Sequence, residues 1–146
     1  MKKSPVVLAV TAFLFVAWMA YLGVQAWRYR TPPVVVSRAQ LLVAKYDVVA
    51  ALRAKTDGKP ESEVTVTAVL YAGDTAGPKV GDTIKVGNFG ECDGFAGPGP
   101  YVLPLFFFDG QWRVAGLPFD PGRANDPRPR IYPDTAAVRK QFADLR

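Results

Sequence analysis

From Pro5 to Trp27 the chain reads PVVLAVTAFLFVAWMAYLGVQAW, an uncharged run bounded by Lys2-Lys3-Ser4 before it and Arg28-Tyr29-Arg30 after it. No polar face interrupts it, so it lacks the one-sided stripe of a helix that packs on a soluble core. Crossing roughly 30 Å of hydrocarbon at 1.5 Å per residue takes about 20 residues, and this run supplies them. Residues 1–30 are therefore expected to form an uncleaved membrane anchor, with membrane lipid as the partner of residues 5–27. Trp18, Tyr21, Trp27 and Tyr29 gather toward its second half, where amphipathic rings sit at the water boundary. Pro5 suits a first helical turn, whose N–H groups lack partners anyway. The alternative is a secretory signal cleaved after Val24-Gln25-Ala26, although such signals carry apolar cores of only about 7 to 15 residues.

Beyond the run the pattern changes. Thr31 to Val36 (TPPVVV) is held extended by its prolines and reads as a spacer, residues 31–36. Ser37 followed by Gln40 is a helix-start arrangement, and a short helix is expected from about Arg38 to Lys45. Tyr46–Lys55 and Glu63–Ala72 read as strands around the turn TDGKPES. In the second strand Val64, Val66, Ala68 and Leu70 are expected on one face and Thr65 and Thr67 on the other. A third strand follows Gly81, with Ile84 and Val86 inward. YVLPLFFF and QWRVAGL then pair as a hairpin across Asp109-Gly110, a dipeptide suited to a tight turn with positive φ. Pro104 marks a break, an edge or a bulge in its strand. The stretch PFDPGRANDPRPRIYP is expected to run extended as a strap. A final helix follows Asp134 or Thr135 and places Val138, Phe142 and Leu145 on one face. The fold class expected is mainly β: an N-terminal transmembrane helix, a short helix, a small five-stranded antiparallel barrel over 37–118, and the strap with a C-terminal helix over 119–146.

The formal charge of +5 invites a nucleic-acid reading, but its placement removes that. Lys2, Lys3, Arg28 and Arg30 flank the apolar run; without these four, the 18 basic residues fall to 14, against 13 acidic ones. A nearly neutral domain has no electrostatic footprint for a polyanion, and no nucleic-acid partner is expected. Histidine is absent, which removes the commonest general base and zinc ligand near neutral pH. The lone cysteine, Cys92, cannot form an internal disulfide. Basic residues on the two flanks of the run nearly balance, so orientation rests on layout: a short tail before a first apolar helix suits a signal-anchor with the domain outside the cytoplasm.

The segments VTVTAVLYA, VGDTIKV, GPYVLPLF and WRVAGLP together resemble the netrin-like oligonucleotide/oligosaccharide-binding (OB) barrels, the fold of tissue inhibitors of metalloproteinases, over roughly residues 44–118. Val69-Leu70, Gly81-Asp82 and Tyr101–Leu103 hold the positions that carry the likeness. The resemblance implies an OB-like barrel. The inhibitors act through an N-terminal cysteine and a set of disulfides, which this chain lacks, so the likeness carries over no functional residue.

Candidate chemistry is sparse. Cys92 lies between Glu91 and Asp93 in the glycine- and proline-rich stretch FGECDGFAGPGPY. Flanking carboxylates raise a thiol pKa, and the chain has no histidine to act as base, so a loop cysteine is expected rather than a nucleophile. Glu91, Asp93 and Asp109 could offer oxygen ligands, but their spacing matches no EF-hand; no metal or cofactor is expected. Phe107 and Trp112 would form a binding surface if exposed. Arg128 and Arg130 in DPRPRIYP suit either an extended ligand segment or anionic headgroups, against a strap packed through Ile131 and Tyr132. The functional expectation is an anchored, non-catalytic binding or assembly domain with a protein partner. The alternatives are an inhibitor-like secreted domain and a cysteine-dependent or metal-assisted enzyme.

Overall fold

The computed structural model describes residues 5–28, 33–116 and 128–146. The chain divides into two compact units, Met1–Pro33 and Val34–Arg146. In the first, α1 spans Pro5–Arg28, and its stretch Ala9–Trp27 is long and apolar enough to cross a membrane, with none of it buried.

The second unit is mainly sheet. It contains α2 (Arg38–Val43), β1 (Tyr46–Leu52), β2 (Glu63–Ala72), β3 (Thr83–Lys85), β4 (Gly99–Phe108), β5 (Gln111–Val114), β6 (Tyr132–Pro133) and α3 (Ala136–Leu145). The main path runs β3-β2-β1-β4-β5, all antiparallel, and β6 pairs with β4 beside it. Its two ends approach at one parallel bridge, Val86 with Trp112, where the Gly87 N–H donates to the Trp112 carbonyl at 2.9 Å. The five expected strands are present, and the short β6 adds a sixth. The strap residues 117–127 and residues 29–32 of the linker lie outside the described residues.

Two apolar clusters account for this shape. Tyr46, Val48, Ala50 and Leu52 of β1 join Tyr101, Leu103 and Leu105 of β4, and Val64, Val66, Ile84 and Val114, inside the curl of the sheet. The alternate residues Val49 and Val102 face outward onto Leu41, Tyr132, Val138 and Phe142. Because β1 and β4 are covered on both faces, their sequences read as continuous apolar runs instead of alternating ones. The helices α2 and α3 supply the outer cover, each buried side chain contributing about 1.5–3 kcal/mol.

β2 departs from the expected single face. Opposite β1 its register skips Thr67, between the pairs Ala50–Val66 and Val49–Ala68, and skips Leu70, between Val48–Val69 and Asp47–Tyr71. Each extra residue reverses which side of the sheet the following side chains meet. Val64 and Val66 therefore enter the inner cluster, while Ala68 and Leu70 pack against the outer one.

Pro104 does not interrupt β4, which is continuous from Gly99 to Phe108. On the edge facing β5 and β6, the β5 ladder reaches only Leu105 and the β6 ladder begins at Val102. Pro104 occupies the gap, where a missing N–H costs nothing, and its carbonyl accepts from Ala115 at 2.8 Å. β1 stops at Leu52 rather than Lys55, and α2 stops at Val43 rather than Lys45. The second difference has a clear cause: the Lys45 N–H already donates to the Leu105 carbonyl at 2.9 Å, beginning the β1–β4 ladder. The hairpin turn forms as expected, with Asp109 at φ 50° and Gly110 at φ 74°.

Candidate functional site

The loop between β3 and β4 is built by short-range geometry. Asn88 begins a single 3-10 turn over Phe89–Glu91. Its side chain bridges to β5, donating to the Val114 carbonyl at 3.0 Å and accepting from the Val114 N–H at 2.8 Å. Phe89 is thereby drawn into the inner cluster, and Cys92 packs against that cluster, its thiol directed at the Asn88 carbonyl 3.3 Å away. Burial first, then the charges of Glu91 and Asp93, pushes the Cys92 thiol up to about 12. The thiol stays protonated near neutral pH and serves packing.

The following residues are pinned by the strap. The Asp93 N–H donates to the Pro129 carbonyl at 2.8 Å and the Ile131 N–H to the Asp93 carbonyl at 2.9 Å. Arg128 approaches Asp93 at 3.9 Å with both side chains more than half exposed, a pair of little energetic weight. Ile131 and Tyr132 are buried, so the described part of this segment is a packed strap. Among the described residues, no three of the histidine, cysteine and carboxylate side chains converge as a metal site would require.

Phe107 and Trp112 face each other across the β4–β5 hairpin, with ring centroids 5.0 Å apart. Phe107 is 53% exposed, and Trp112 is partly covered because its other side meets Tyr46 edge-on at 5.3 Å. Tyr46 in turn donates its hydroxyl to Asp74 at 2.5 Å. That hydrogen bond raises the tyrosine pKa and lowers that of the aspartate. Arg128 and Arg130 are exposed beside the Asp93 loop. No hydrogen bond, ion pair or ring contact among the described residues joins the two arginines to the two aromatic residues.

Two polar centres lay outside the sequence-based expectation. Asp47 has no exposed surface, and Arg146 reaches it with two hydrogen bonds, of 2.7 and 3.0 Å. The same guanidinium donates to the Ala44 carbonyl at 3.1 Å and lies 4.0 Å from the centre of the Tyr71 ring. A depression of about 130 Å³ opens beside this pair, lined also by Leu70, Arg139, Phe142 and Ala143. Burial raises the Asp47 pKa, and the hydrogen bonds and charge of Arg146 oppose the rise. The one signal in the sequence was a carboxylate within the apolar strand YDVVAAL; its partner 99 residues away left none.

The second centre is Gln40. Its amide donates to the Ala115 and Arg130 carbonyls at 2.7 and 2.8 Å, and its oxygen accepts from the Tyr132 hydroxyl at 2.7 Å. Ser37 does cap the helix, accepting from the Gln40 N–H. The glutamine side chain turns inward instead of completing the reciprocal bond, because the Ala115 and Arg130 carbonyls and the Tyr132 hydroxyl, on two other segments, take it as their partner.

No protein-family model matches the sequence, and no curated protein and no solved structure matches it either.

Proposed function

We propose that the chain is a single-pass membrane-anchored protein whose β domain is a non-catalytic binding or assembly module on the extracytoplasmic side. The observation that carries this reading is α1, whose 19-residue stretch Ala9–Trp27 is apolar and long enough to cross a membrane, with none of it buried. Such a helix presents its side chains to solvent unless lipid covers them. The β domain adds a folded object with two well-filled cores, and at Cys92 a thiol that burial keeps out of nucleophilic chemistry.

The strand path supports an OB-like reading of that domain. A meander β1-β2-β3, a return through β4 and β5, and a parallel approach of β3 toward β5 are the connections of a small five-stranded barrel. Barrels of this kind serve recognition through their surfaces and loops, and fold alone does not select the partner.

Membrane fractionation of full-length protein with an epitope following Arg146 tests the reading. The expected result is an intact N-terminus, resistance to alkaline extraction, and digestion of the epitope by protease added outside the cytoplasmic membrane. A mature chain starting near Trp27 would overturn the anchor, and an epitope cut only from the cytoplasmic side would overturn the orientation.

A further inference from the structure

Four of the eight large exposed apolar residues described in the β domain lie together at one end; Val34, Val35, Tyr71 and Val80 are the others. Leu42 is 80% exposed, Val43 44%, Phe107 53% and Phe108 61%. Tyr46 pairs with Leu105, and the Lys45 N–H extends that ladder by bonding the Leu105 carbonyl. The end of α2 therefore enters the sheet beside the strand segment that carries the three phenylalanines. The β4–β5 turn projects Phe107 and Phe108 from the same end, where Asp109 and Gly110 reverse the chain. Scattered apolar residues on a surface need no explanation, but large ones gathered at one end of a small domain mark a contact.

We propose that this end of the domain rests on the lipid surface that holds the anchor. The inference depends on the reading of α1 as that anchor. Only five residues separate Arg28 from Val34, whose carbonyl Gln141 holds to the domain, about 17 Å at full extension. A domain on so short a tether meets the bilayer at high effective concentration, and even a modest affinity keeps it seated. The chemistry suits the interface. Phenylalanine and leucine side chains enter the headgroup–acyl boundary, while Arg38 and Lys45, both exposed beside Leu42 and Val43, meet anionic headgroups. Asp109 at the turn and Asp74, which accepts from the Tyr46 hydroxyl, are the opposing charges at this end.

The test uses the full chain with Cys92 replaced by alanine, reconstituted in phosphatidylcholine–phosphatidylserine vesicles that contain doxyl-labelled lipid. A single environment-sensitive fluorophore is attached at Leu42→Cys, Phe108→Cys, Lys59→Cys or Thr65→Cys. All four positions are exposed, so labelling leaves the cores intact. Lys59 and Thr65 lie toward the β1–β2 turn, at the opposite end of β1 from Tyr46. Lipid contact is expected to quench about half or more of the signal at positions 42 and 108, and about a tenth or less at 59 and 65. Equal quenching at all four positions, on a chain that still floats with the vesicles, overturns the proposal and leaves this end free for a protein partner. A chain that does not float overturns the anchor reading itself.

Discussion

Asp47 is a carboxylate with no exposed surface, held by one guanidinium from the far end of the domain. Removing one partner of a buried ion pair leaves the other uncompensated, which costs more than the pair contributes when intact. Arg146→Ala is expected to lose about 3–5 kcal/mol at neutral pH, measured by urea denaturation. The pH dependence has a definite sign. The folded-state pKa of Asp47 is raised, so its contribution to stability is complete below the unfolded pKa and is lost as pH rises through the folded one. Arg146→Ala removes both influences that hold that pKa down, so protonation at mildly acidic pH should return part of the lost stability. Asp134, whose pKa the Arg139 hydrogen bond lowers, acts in the opposite direction. It is present in both proteins and cancels in the difference. An equal penalty at neutral and mildly acidic pH would show that the carboxylate is not buried as described.

Cys92 gives a second residue-scale expectation. With the thiol pushed up to about 12, the thiolate that attacks an alkylating agent is scarce near pH 8. Iodoacetamide should modify the folded protein at least ~100-fold more slowly than the urea-unfolded chain. A rate close to that of the unfolded chain would reopen the nucleophile reading.

At the scale of elements, the loop before β4 and the strap hold each other in place. Gly94 adopts φ +100° against the Ile131 carbonyl, and an added Cβ would collide with that oxygen. Gly97 also has positive φ, +130°, but its missing Cβ faces open space. Gly97→Ala should therefore cost about 1 kcal/mol, from conformation alone. Gly94→Ala should cost at least ~2 kcal/mol more, because it also pushes the strap away from Asp93. Thermal unfolding compares the two, and similar costs would mean that the strap does not bear on the loop. The glycines and prolines of this stretch made a loop legible in the sequence. That one of them is needed for close approach to another segment follows only from the pairing of Asp93 with Arg130.

β2 teaches the same lesson. Its bounds follow from the apolar and β-branched composition of residues 63–72. Its face assignment does not, because a skipped residue in a ladder is a property of two strands, and the alternation within one is blind to it.

For the whole molecule, the β domain has its own two clusters and is a compact unit from Val34 onward. The end of the expected spacer belongs to it: Val36 is buried, and Gln141 of α3 bonds both the Val36 N–H and the Val34 carbonyl, at 2.9 and 2.8 Å. A chain starting at Val34 should stay in solution and unfold in one cooperative urea transition. A broad, non-cooperative transition would show that residues 1–33 are needed for folding. Cutting instead before Arg38 should destabilise the fragment, since it removes Val36 from the outer cluster and Ser37 from the cap of α2.

The sequence alone determined the features whose cause is local. An uncharged run of sufficient length makes α1, Asp109-Gly110 makes the hairpin turn, a cap at Asp134 or Thr135 with the spacing of Val138 and Phe142 makes α3, where the structure uses Thr135, and the apolar strands make a mainly β fold. Tertiary structure decided the features that depend on two distant segments meeting. These are the pairing of Asp47 with Arg146, the inward turn of Gln40, the change of face along β2, and the gathering of Leu42 with Phe107 and Phe108. The division is physical: backbone preference and hydrophobic period act over a few neighbouring residues, whereas burial, ion pairing and ladder register are fixed only when the sheet closes over its core.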